Sequence, residues 1–130
     1  MGLEIDDSKL LLLSGLATTT YAMHASFAPK SLNETYMNPA LPVNVPMTRW
    51  FGLALGTCGS VNLVLSTRDH DKKAVKDALK VAGAGWAASS AVMAYNANEG
   101  HQKKELAWPS AAAMAGMAAL CLWRGFKEDE

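Results

Sequence analysis

Leu10–Pro29 reads LLLLSGLATTTYAMHASFAP, 20 residues without Asp, Glu, Lys or Arg, and Lys9 and Lys30 stand immediately outside it. Three further stretches follow the same rule: Trp50–Thr67, Val81–Asn98 and Leu106–Trp123, each 18 residues long and bracketed by charged residues. A helix rises about 1.5 Å per residue, so runs of this length cover roughly 27–30 Å, the thickness of a bilayer's hydrocarbon core. A soluble helix as long needs a polar stripe, and these runs hold no ionised side chain to build one. The expectation is an all-α, four-transmembrane-helix bundle of up-down topology, with helices at about 8–28, 48–67, 72–98 and 108–125. A soluble four-helix bundle is the competing reading. It leaves unexplained why four blocks lack all four charged residue types.

Mean hydropathy of +0.04 and 18% charged residues resemble a soluble protein. The charges, however, sit in loops and tails, and the runs are built from Ala, Gly, Ser, Thr and Met. At 130 residues the chain has room for a single membrane domain, 1–130. A net charge of zero argues against nucleic acid as a partner. Cys58 and Cys121 both fall inside the runs and read as small apolar residues. The acidic start, MGLEIDDSKLLLL, has neither the basic opening of a signal peptide nor the Arg- and Ser-rich character of a transit peptide. Asp6 replaces the Ser or Thr of a myristoylation motif. Either import uses internal signals or the numbering begins after a removed presequence.

Local signals organise the rest. Asp6, Asp7 and Ser8 form a helix start, and Pro29 a stop. Lys30 to Met47, with Pro39, Pro42 and Pro46, reads as a stiff extended loop. Arg68 to Asp71 reads as a turn with Asp71 capping the next helix, and Gly100 suits the position beyond that helix's end. The last helix is expected to start at Trp108 with Pro109 in its first turn; the alternative is a start near Gln102 and a kink at Pro109.

Four spans would put both termini and the Arg68–Lys80 segment on one side. Lys9, Arg68, Lys72, Lys73, Lys76, Lys80, Arg124 and Lys127 lie there, against Lys30, Arg49, Lys103 and Lys104 on the other. The positive-inside rule then places both termini on a stromal, matrix or cytosolic face. Phe27, Trp50, Phe51, Tyr95 and Trp108 would mark one interface, and Trp123 and Phe126 the other.

Small residues recur every four positions: Gly52, Gly56 and Ser60; Gly83, Ala87 and Ala91; Ala111, Ala115 and Ala119. Such ridges let backbones approach closely, within the chain or against other membrane subunits. His24 is the ionisable group placed deepest in a run, and such groups are functional candidates by default. Its ring nitrogen, or less favourably the Asn62 amide oxygen, is a candidate ligand for the magnesium of a chlorophyll. The plain reading is a neutral histidine and an amide hydrogen-bonded to neighbouring helices. His24, Tyr95, Asn96, Asn98, Glu99 and His101 are expected at one interface, without the helical spacing of a metal site. No phosphate loop, Cys-x-x-Cys pair or nucleophile beside a base occurs. The Arg68–Lys80 run can attract anionic headgroups, although its three aspartates dilute it.

Phe27, Pro29, Tyr36, Arg49, Phe51 and Gly52 together resemble the DoxX-like small four-helix membrane proteins. In that family an apolar first helix ends at a Phe-x-Pro stop, and a loop leads to an Arg and an aromatic-Gly pair. The resemblance implies four short spans and carries no catalytic residues. The Ala- and Met-rich style also resembles accessory subunits of algal photosystems and protist respiratory complexes. The function expected is therefore a non-catalytic accessory subunit of a large membrane complex. A photosystem of the thylakoid is favoured, with lipids and chlorophyll or carotenoid as contacts. The alternatives are a subunit of a respiratory complex in the inner mitochondrial membrane, or a DoxX-like enzyme acting on a quinone near His24, Glu99 and His101.

Overall fold

The computed structural model describes residues 6–37, 44–68 and 71–127, and these form five helices. They are α1 (Asp7–Phe27), α2 (Pro29–Tyr36), α3 (Val45–Ser66), α4 (Lys72–Asn98) and α5 (Lys104–Phe126). The fold is all-α, and the four-span transmembrane bundle is corrected by it. Among the described residues, only Lys104–Phe126 is long and apolar enough to cross a membrane. The reason is that freedom from charge is not apolarity. Ser, Thr, Tyr and Asn gain little on leaving water, and Val81–Asn98 carries two Ser, a Tyr and two Asn where Leu106–Trp123 has a single Ser. The placement of both termini on one membrane face falls with the four spans.

Two further corrections concern boundaries. Lys30 to Tyr36 is helical instead of extended: Pro29 ends α1 and opens α2 at its first turn, where a missing N–H costs nothing. The last helix begins at Lys104, which leaves Pro109 inside it. The proline-spaced stretch at 38–43 and turn residues 69–70 lie outside the described residues. Asp6 accepts from Ser8 N at 2.9 Å and Asp71 from Ala74 N at 3.1 Å, so both N-termini have side-chain caps. Gly100, at φ +76°, follows the end of α4 in the left-handed conformation that a residue without Cβ adopts freely. Lys73 Nζ donates to Asp77 Oδ2 at 2.7 Å, and this bond holds the exposed Asp77 carboxyl below its ordinary range.

The long helices pair as two antiparallel hairpins, α1 on α3 and α4 on α5. Each pair meets along alternating steps of four and three residues, the spacing that keeps one face toward a partner. On α3 the seam is Thr48, Gly52, Leu55, Gly59, Asn62 and Ser66; on α5 it is Ala107, Ala111, Met114, Ala118, Cys121 and Gly125. All of these are buried or half-buried. The glycines are there because backbone lies against backbone. A Cβ on Gly52 would stand 2.9 Å from both Ala22 O and Ser26 N, and one on Gly125 would stand 3.0 Å from Lys80 N. Ser90 Oγ donates to the Ala111 carbonyl at 2.7 Å, a bond that only closely approaching helices can make.

The hairpins join chiefly at one end. Leu10 and Leu11 of α1, Val75, Ala78 and Leu79 of α4, and Cys121 of α5 form one buried cluster. Beside it Asp7 Oδ1 accepts from Arg124 Nε at 2.6 Å and Asp7 Oδ2 from Lys76 Nζ at 3.1 Å. Lys76 also donates to Arg124 O at 2.9 Å. These side chains are only 14–16% exposed, so one carboxylate ties three helices in a partly desolvated setting. One step further in, Trp86 Nε1 donates to Ser14 Oγ at 2.8 Å and satisfies a fully buried hydroxyl. At the opposite end the link is lighter: Lys103 N donates to Tyr36 O at 2.9 Å beside a bridge between Met37 and Gln102.

Three variants check this packing. Gly52→Ala is expected to cost about 1–3 kcal/mol by forcing α1 and α3 apart. Gly85→Ala, whose added Cβ meets nothing within 4 Å, is expected to gain about 0.5–1 kcal/mol from helix propensity. Thermal unfolding followed by circular dichroism should move in opposite directions for the two variants. Asp7→Asn, which leaves two cations facing a neutral amide, should cost about 3 kcal/mol in the same assay.

Candidate functional site

An open groove of ≈ 720 Å³ runs along the outer side of the α1/α3 pair. Its floor is made of small residues, Ala22, Gly52, Gly56 and Ser60, and its walls of Met23, Phe27, Leu53, Val61 and Val64. The helical register explains the division. Positions 53, 57, 60 and 64 of α3 fall on one side of the helix at steps of three and four, adjoining the seam that holds Gly52 and Gly59. The wall residues are mostly exposed, with Phe27 at 80%. Thr19 and Ser26, seven residues apart on α1, place their hydroxyls against Gly59 and Gly52, also seven apart on α3. Thr19 Oγ1 is buried there without a hydrogen-bond partner.

Of the small residues picked out by the sequence, Gly52, Gly83 and Ala111 are buried in the hairpin seams, and Gly56 is half-buried in the groove floor. Ser60, Ala87, Ala91, Ala115 and Ala119 are exposed. The geometry accounts for the split: a step of four advances 400° around a helix, so two steps carry a residue about 80° off the face where it began.

His24 lies near the end of α1, half-buried, with Nε2 3.1 Å from Ser31 Oγ of α2. Any axial ligation through that nitrogen requires this contact to open. Asn62 is half-buried at a seam position of α3. The ends of α1 and α4 do fall at one end of the molecule, bridged by α2. Tyr95, Asn98, Glu99 and His101 are nevertheless exposed, and Asn96 contributes its carbonyl to His101 N at 2.8 Å. Among the described residues no three His, Cys, Asp or Glu side chains are grouped to hold a metal ion.

Sequence reasoning missed the groove and the Asp7–Lys76–Arg124 centre. The available signals were the two seven-residue spacings, Thr19/Ser26 and Gly52/Gly59. For the ionic centre no local signal existed, since its members are 69 and 117 residues apart.

No family model, no curated protein and no solved structure matches the chain.

Thr19→Val tests the groove floor. A buried hydroxyl without a partner costs about 1–3 kcal/mol, and the isosteric methyl removes that cost. The variant is expected to raise the melting temperature, and a fall would show that the hydroxyl bonds something in solution.

Proposed function

We propose that this chain is a non-catalytic accessory subunit of a large membrane complex, held there by its outward apolar surface. One observation carries the reading: large apolar side chains stay exposed on every long helix. Leu13, Met23 and Phe27 on α1, Trp50, Leu53 and Val64 on α3, Val81, Val92 and Tyr95 on α4, and Trp108, Trp123 and Phe126 on α5 are examples. Proteins that work alone in water rarely leave contiguous apolar patches beyond a few hundred Å². The buried face of each helix is spent on its hairpin partner, so this second set of apolar residues is available for lipid or other subunits. Further support comes from α5, the helix apolar enough to cross a membrane, of which only 22% of the spanning window is buried.

Within this class, a photosystem-associated subunit of the thylakoid is the first setting to test, with chlorophyll or carotenoid among its contacts. A respiratory complex of the inner mitochondrial membrane is the second. The exposed alanines of α4 and α5 are the sites where a neighbouring helix would come close.

Deleting the chain is expected to lower the yield of one particular complex while its intrinsic turnover stays near normal, because peripheral packing affects association and not distant chemistry. Ala115→Leu should act as a partial deletion: Ala115 is exposed, so the chain still folds while the added bulk holds a partner helix away. Native gels of detergent-solubilised membranes give the readout. A chain that migrates alone, with every complex at normal abundance in its absence, would remove the accessory role.

A further inference from the structure

We draw no further inference here: the strongest candidate, the open apolar groove between α1 and α3 walled by Met23, Phe27, Leu53, Val61 and Val64, carries nothing, because nothing in the structure shows what covers it.

Discussion

Backbone-to-backbone contact within each hairpin is the constraint from which the rest of this structure follows. At Gly52, beside Ala22 and Ser26, and at Gly125, beside Lys76 and Lys80, an added Cβ would stand 2.9–3.2 Å from backbone atoms of the facing helix, with the Ser26 hydroxyl and the Lys80 stem also against the glycines. Such contacts bring dispersion and weak Cα–H···O attraction into play over long surfaces, with little dependence on large apolar side chains. That is why helices built from Ala, Gly, Ser and Thr pair at all. It also determines what is left over. A seam of small residues uses one narrow face of each helix, and Leu, Met, Phe and Trp are displaced to the outside.

The second level of organisation joins two hairpins that share few contacts. Here the chain uses polar groups, and each has its partners. Asp7 is bound by both Arg124 and Lys76, and Ser14 receives the Trp86 indole N–H. A partly buried carboxylate between two cations adds little net stability compared with an apolar replacement, but a misregistered docking would leave all three charges unpaired. The centre thus acts mainly on which arrangement of the hairpins is allowed. The hydrophobic cluster of Leu10, Leu11, Val75, Leu79 and Cys121 beside it supplies the non-directional attraction.

The consequence is a molecule whose seams are filled by its own helices and whose outside keeps many large apolar side chains. The outer residues are not uniform. On α1/α3 they line an open apolar groove, whereas on α4/α5 they include exposed alanines bounded by Trp108 and Trp123.

Helical class, the capping by Asp6 and Asp71, and the end of α4 at Gly100 were all legible in the sequence, because they depend on neighbours within a few residues. The number of membrane-competent helices was not. Absence of charge marked four runs, while their Ser, Thr, Tyr and Asn content separates α5, which has a single Ser among these, from the other three. Small residues were visible, but their assignment to a seam or an outer face was not. A four-residue ruler drifts around the helix, whereas the real contacts alternate between three and four. The α2 helix was hidden by prolines, which open a helix as readily as they end one. His24 drew attention through its place in an apolar run, and only the fold put Ser31 beside it. Asp7 read as an ordinary first-turn carboxylate; its partners on α4 and α5 are set by hairpin docking. The groove likewise belongs to the tertiary structure alone, since it exists only once α1 and α3 lie side by side in one register.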